Sequence, residues 1–307
     1  MKTGLIIGSR GSKLALVQAD IVAARIKEVH PHLGVSITKI VTRGDRSHHT
    51  PFNHIRDVGI FVRELEEALL DGKIDLAVHS LKDMPTRIPP GLCLAAVTER
   101  LAPNDVLISR GKKLAELPSG AVIGTGSLRR MAQLLHFRPD LKVRSIRGNV
   151  DTRIQKVFSE DFDGVVLAVS AIKRLNSEKI ISELLPLEHF LPEIGQGALG
   201  IETRADDKEV ITILSPINHV PTWQAVGAER AFLDALGGGC RAPIAALGTV
   251  RRDMLELSGM VSDVRGKDVL RDSEWGEAIE WEQIGRRLAE KMIARGALEL
   301  IAETRNI

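Results

Sequence analysis

The sequence predicts an α/β chain made of two similar α/β domains and a small C-terminal α+β domain. Three observations lead there. Short β-branched runs alternate with amphipathic stretches through the first two thirds of the 307 residues, the pattern of strands joined by crossover helices and so of parallel sheets. A strand ending in glycine and a hydroxyl residue occurs twice, as Ile6-Ile7-Gly8-Ser9-Arg10-Gly11-Ser12 and as Val122-Ile123-Gly124-Thr125-Gly126-Ser127-Leu128. Beyond Pro221 the pattern changes to one helix and then to alternating strands.

Taken in order, residues 5–8 read as a strand and 12–26 as a helix with Ser12 as N-cap. Residues 35–41 form the next strand, and 60–70 (IFVRELEEALL) a helix with apolar side chains at helical spacing. A buried strand at 75–78 is followed by a loop closed by Pro85, Pro89 and Pro90. The pattern restarts with strands at 105–108, 122–124, 142–145 and 164–167, helices lying between them. A helix at 223–236 is broken by Gly237-Gly238-Gly239; strands at 245–251, 255–261 and 267–271 and a closing helix at 277–295 complete the chain. If the repeated strand-and-turn marks a structural repeat, the two α/β domains face each other around a ligand cleft.

A hydrophobic fraction of 44% supports packed cores, and 42 basic against 40 acidic residues leave a net charge of only +2. That balance, with aromatics at 3% and no tyrosine, speaks against nucleic-acid binding. The first residues reach Arg10 without the apolar core of roughly 7–15 residues that a signal peptide needs. No uncharged apolar run approaches the roughly 18 residues of a membrane span. A cytoplasmic address with no membrane partner is expected. Cys93 and Cys240 have neither disulfide nor metal-ligand spacing, and His48-His49 sits in a polar stretch, so no metal is expected.

The placement of the arginines is unusual. Arg10 lies in the turn after the first strand, Arg129 and Arg130 in the first turn of the helix that Ser127 can cap, and Arg147 and Arg153 bracket Gly148-Asn149. A helix N-terminus already carries free N–H groups and partial positive charge, so a guanidinium there is unfavourable unless an anion joins it. Any one of these arginines could solvate the surface or pair with a nearby Asp. Several such turns on one scaffold favour a ligand bearing several carboxylates. Neither a GxxxxGK[ST] loop nor a GxGxxG turn is present to suggest a nucleotide.

Lys82 and Asp83 follow the buried strand at its C-terminal end, where α/β proteins place their active groups. They read either as a surface ion pair or as a cleft carboxylate that stabilises a cation and moves protons. Cys93, in an apolar run, reads as a small buried hydrophobe. Cys240 follows three glycines and precedes Arg241, an accessible and locally positive setting that favours thiolate. Structural thiol and covalent attachment point both stay open on those grounds.

Eight segments in one order resemble the hydroxymethylbilane synthase (porphobilinogen deaminase) family: 9–18 (SRGSKLALVQ), 41–45 (VTRGD), 75–85 (DLAVHSLKDMP), 124–130 (GTGSLRR), 147–153 (RGNVDTR), 168–175 (AVSAIKRL), 195–202 (GQGALGIE) and 238–243 (GGCRAP). The resemblance implies two domains similar to the type II two-lobed solute-binding proteins plus the small α+β domain, with boundaries at 1–98 with 193–216, 99–192 and 217–307. It implies a transferase of tetrapyrrole biosynthesis, monomeric, that joins four porphobilinogen molecules head to tail with loss of ammonia. The growing chain is carried on a dipyrromethane cofactor attached through a thioether to Cys240, and hydrolysis then releases hydroxymethylbilane. Asp83 matches the family's catalytic aspartate, which would hold pyrrole N–H groups and stabilise positive charge on pyrrole nitrogen. Arg10, Lys82, Arg129, Arg130, Arg147, Arg153 and Arg174 match positions that bind acetate and propionate groups, with Ser12, Gln18, Thr125 and Ser127 as neutral partners. Gln196 and Gly197 match a segment that runs through the cleft between domains.

The chain departs from the family in places. Arg56-Asp57-Val58-Gly59-Ile60-Phe61 stands where a Gly-Gly-Lys-Gly-Leu-Phe stretch is common, so Val58 replaces a lysine next to the expected lid at 43–57, where Arg56 could supply the charge. Gly237 and Gly126 stand where many relatives carry Glu and Ser. The main alternative is a non-catalytic two-lobed carboxylate-binding protein, which would have a signal peptide and no need of Cys240.

Overall fold

The computed structural model describes residues 2–41, 62–159, 162–237 and 242–304. The expected lid at 43–57, with Arg56 and Val58, and the Cys240-Arg241 pair lie outside the described residues. In chain order the elements begin with β1 (Gly4–Arg10), α1 (Lys13–Val29), β2 (Gly34–Ile40), α2 (Arg63–Leu70), β3 (Leu76–Ser80) and β4 (Leu92–Val97). There follow β5 (Asp105–Ile108), β6 (Val122–Gly124), α3 (Leu128–Phe137), β7 (Lys142–Arg144), α4 (Val150–Ser159), β8 (Gly164–Ala168), α5 (Val169–Arg174) and β9 (Glu183–Leu184). The last third holds β10 (Leu199–Arg204), α6 (Lys208–Leu214), α7 (Val220–Ala235), β11 (Ile244–Arg251), β12 (Met254–Ser262), β13 (Val269–Glu277), α8 (Trp281–Ile293) and α9 (Ala297–Thr304).

Contacts divide the chain into two compact units, Met1–Arg100 with Ala198–Trp223, and Leu101–Gly197 with Gln224–Ile307. The first holds a five-stranded sheet in the order β2-β1-β3-β10-β4; the second holds one in the order β7-β6-β8-β5-β9 and a three-stranded sheet β11-β12-β13. The two five-stranded sheets share one plan. Their first three strands are parallel, with β1 and β6 each central to its trio, while β10 and β5 run antiparallel to both neighbours. The repeated Ile-Ile-Gly and Val-Ile-Gly segments therefore occupy equivalent strands, β1 and β6.

The expectation of parallel sheets needs one correction: each sheet is mixed. An antiparallel strand gives no separate signal: β5, buried on both faces, reads as the same apolar run as a parallel strand, and in β10, also buried, Glu202 and Thr203 break that run.

Local sequence accounts for most of the elements. Helix α1 buries Ala15, Gln18, Ala19, Val22, Ala23 and Ile26, the i, i+3, i+4 spacing of one face, and Ser12 caps it by accepting from the Ala15 amide at 3.3 Å. That face packs with Leu5, Ile7, Leu76 and Ile201 in the core of the first unit. At the end of the chain the boundaries moved. Strand β13 pairs with β12 over its whole length, from Ser262↔Val269 to Met254↔Glu277, so polar residues 272–277 are strand and the closing helix starts at Trp281. Partner β12, with Leu255 and Leu257 fully buried, imposes extended backbone on a segment that has little β-propensity of its own. Helix α9 was not foreseen; Ala297 and Ile301, one turn apart, pack it onto the same core as Phe232 and Met292.

Candidate active site

In the first unit the predicted residues gather where parallel strands β1 and β3 end. Arg10 closes β1, and Ser12 caps the helix that follows. Gln18, 4% exposed, donates through Nε2 to Ser80 Oγ at 2.8 Å and so ties α1 to the end of β3. The chain then makes a 3-10 turn over Leu81–Asp83. Leu81 is buried and its amide donates to the Ala198 carbonyl at 3.1 Å, while Lys82 is half-buried and Asp83 exposed. The apolar residue anchors the turn and leaves the carboxylate of Asp83 open to solvent. Beneath it, His79 Nε2 and Glu202 Oε2 lie 3.0 Å apart, both buried. Sequence reasoning passed over this pair; an ionisable residue inside the apolar run Leu-Ala-Val-His was its only signal.

In the second unit the turn after β6 is built by its hydroxyls. Thr125 Oγ1 accepts from the Ser127 amide at 3.2 Å, and Ser127 Oγ accepts from the Arg130 amide at 3.4 Å, so the predicted cap is present. Gly124 allows this turn to close on Ile146, whose side-chain carbons would stand 3.1–3.2 Å from a Cβ there.

Arg129 and Arg130 follow, and here the structure adds what the sequence argument lacked. Both are buried, at 2% and 8% exposure, and both pair with Asp105, Arg129 Nη1 at 2.9 Å and Arg130 Nη2 at 2.7 Å. Arg129 also donates to the Leu191 carbonyl and meets Glu193 at 3.1 Å; Arg130 also donates to the Val166 carbonyl. Their first counter-charge thus comes from the protein. Gln196, fully buried, donates to Asp105 Oδ1 at 2.8 Å and to the Pro103 carbonyl. Burial alone would raise the pKa of Asp105, but the two guanidiniums outweigh it and hold the carboxyl far below the usual carboxylate range. A carboxylate heading an otherwise apolar strand, Asp-Val-Leu-Ile, was the available signal for it.

Arg174 is different. It ends α5, is 9% exposed, and donates through Nη2 to the Gly197 carbonyl at 2.7 Å. Among the described residues no carboxylate pairs with it and its buried Nε has no hydrogen-bond partner. Burial lowers its pKa to about 10, so it stays charged at neutral pH. Arg147 and Arg153 are half-buried around Gly148, whose φ of +112° and closeness to Thr152 suit glycine alone; Arg153 Nε donates to the Gly148 carbonyl at 2.8 Å. Cys93 is half-buried on β4, and burial pushes its thiol pKa up, away from thiolate chemistry. Among the described residues no cluster of His, Cys, Asp or Glu could hold a metal ion, and no helix is long and apolar enough to cross a membrane.

Replacing Asp105 with Asn leaves two buried guanidiniums against a neutral amide and should cost about 3–5 kcal/mol of stability in urea unfolding near neutral pH. Since the folded pKa lies below the unfolded one, the contribution of Asp105 is complete above about pH 4 and is lost as the pH falls. The gap between wild type and Asp105→Asn should therefore narrow below that pH. A gap unchanged down to pH 2 would show that the ion pairs are not its source.

Residues 5–212 match the family model described as "Porphobilinogen deaminase, dipyromethane cofactor binding domain", and residues 223–294 match "Porphobilinogen deaminase, C-terminal domain". The porphobilinogen deaminase of Geobacter metallireducens is 49% identical over 299 residues, covering 97% of this chain and 94% of that protein. The one from Syntrophomonas wolfei is 45% identical over 302 residues, covering 98% and 99%. Among solved structures, a methionine binding protein aligns over 73% of this chain and 91% of its own, with 12% identity and a TM-score of 0.45. With sequence likeness running through both the arginine-bearing turns and the C-terminal sheet, this chain belongs to the porphobilinogen deaminase family.

Proposed function

We propose that the chain is the hydroxymethylbilane synthase of its cell, a transferase that condenses four porphobilinogen molecules on a covalent dipyrromethane. The observation that carries the reading is Arg174: a buried guanidinium, charged at neutral pH and without a carboxylate partner among the described residues, is the complement of an anionic ligand. Each pyrrole of such a ligand brings an acetate and a propionate. The cations Arg10, Lys82, Arg147, Arg153 and Arg174 fit a polyanion of that kind. Arg129 and Arg130 present their remaining buried nitrogens, Nη2 and Nε, beside the Asp105 carboxylate. Ser12, Gln18, Thr125 and Ser127 shape the turns that carry these charges.

Cys240 would hold the dipyrromethane through a thioether, and that group would supply the free pyrrole carbon to which the first unit is joined. The residues of the chain do the rest. Asp83, held at the tip of its turn by buried Leu81, accepts hydrogen bonds from pyrrole N–H groups and stabilises the positive charge that develops on pyrrole nitrogen as ammonia leaves. As a carboxylate it also receives the surplus proton. Gln196 and Gly197, gripped by Asp105 and Arg174, present a fixed stretch of backbone beside the buried guanidiniums. The reading extends to a division at 1–98 with 193–216, 99–192 and 217–307, to a monomer and to a cytoplasmic address.

Denatured intact mass should exceed the sequence mass by two pyrrole units, and Cys240→Ala should abolish the excess. Asp83→Asn should keep the excess yet lose nearly all porphobilinogen consumption. A soluble wild type with no excess mass and no turnover would favour a non-catalytic carboxylate-binding protein. Arg174→Met removes a buried charge without a counter-ion, so its melting temperature should stay near that of wild type. Its kcat/KM should fall about ten- to hundredfold, the worth of one or two charge-assisted hydrogen bonds. Unchanged kcat/KM would remove Arg174 from ligand binding.

A further inference from the structure

A buried carboxylate outside the charges considered so far holds the 195–197 segment from the other side. Glu229, on α7, is 0% exposed. Its Oε2 accepts from the Gly195 amide at 2.7 Å and its Oε1 from the Gly248 amide at 2.8 Å. One carboxylate thus joins three segments: helix α7, strand β11, and the loop that continues into Gln196 and Gly197. Both partners are glycines for visible reasons. Gly195 has a φ of +74°, a conformation that side-chain-bearing residues rarely adopt. At Gly248 a Cβ would lie 2.7 Å from the carbonyl oxygen of Ala225 on α7, so only glycine brings the β11 backbone this close to the helix. The helix and the strand joined in this way are the two elements that flank residues 236–243 in sequence, and hence Cys240.

The next two residues of the loop are the ones that the arginine-bearing helices grip. Gln196 reaches Asp105 and lies 3.4 Å from Arg130 Nη2, and the Gly197 carbonyl accepts from Arg174. The segment is therefore pinned at successive residues by Glu229, by Asp105 with Arg130, and by Arg174. Releasing the first pin would let Gly197 shift against Arg174 and change the direction in which that guanidinium points. We infer that Glu229 is a positioning residue: it sets the register of the 195–197 segment against Arg130 and Arg174, and so sets affinity for the carboxylates of porphobilinogen without touching them. The inference rests on the proposed function for its ligand, though not for its geometry.

The first test uses the wild-type protein and needs no variant. Amide hydrogen exchange resolved to single residues should show Gly195 and Gly248 among the slowest amides of the chain. Fast exchange at Gly195 would overturn the proposal outright. Glu229→Gln keeps the shape but sets an NH2 group against one of the two amides, and Glu229→Asp keeps the charge but is too short to reach both. In each, exchange across residues 191–199 should quicken at least tenfold and KM for porphobilinogen should rise several-fold, with the dipyrromethane mass retained. As a control for stability alone, Met292→Ala, in the core of the C-terminal sheet and its helices, should lower the melting temperature at unchanged KM. Glu229 variants that lose only melting temperature, as that control does, would reduce Glu229 to a structural residue and sink the inference. A wild type that consumes no porphobilinogen would instead overturn the proposed function, while the exchange result would still decide the pinning of the loop.

Discussion

Burying two guanidiniums beside each other is costly, and Asp105 makes it tolerable. Taking Arg129 and Arg130 out of water without a counter-charge would cost several kcal/mol each. Asp105, itself almost fully buried, divides its two oxygens between them and accepts a further hydrogen bond from Gln196. Because both oxygens of Asp105 are used, the first turn of α3, the head of β5 and the 195–197 segment are held in one arrangement. A half-satisfied cluster of the same charges would be worse than an apolar core.

The architecture uses one plan twice. Each five-stranded sheet places three parallel strands together, and each receives one antiparallel strand from elsewhere in the chain. The segments after the parallel strands carry the residues proposed for the site: Arg10, Ser12, Lys82 and Asp83 in the first unit, and Thr125, Ser127, Arg129 and Arg130 in the second. The charges are not alike in kind. Asp83 stands exposed on a turn anchored by buried Leu81. Arg174 sits buried with the Gly197 carbonyl as its hydrogen-bond partner. Arg129 is largely spoken for by the protein itself.

Much of this was legible in the residues. The strands from 5 to 167 other than β4, the caps at Ser12 and Ser127 and the repeat of Ile-Ile-Gly as Val-Ile-Gly all rest on local patterns, which short-range sterics and hydrogen bonding enforce. The arginine turns were also visible as an electrostatic oddity. Their partners were not. Asp105 lies 24 and 25 residues from the arginines it neutralises, and Glu229 lies 34 from the glycine amide it accepts. A burial state shared by residues so far apart leaves no trace in spacing.

By itself, then, the sequence determined the α/β alternation, the C-terminal change to antiparallel strands, the charge-bearing turns and the family to which they belong. Those are properties of periodicity, capping and motif, each written within a few consecutive residues. Tertiary structure alone decided which strand runs antiparallel, how far β13 extends, and which buried arginines meet a protein carboxylate and which do not. Those outcomes depend on which groups lose water together, and desolvation is settled only when distant segments meet.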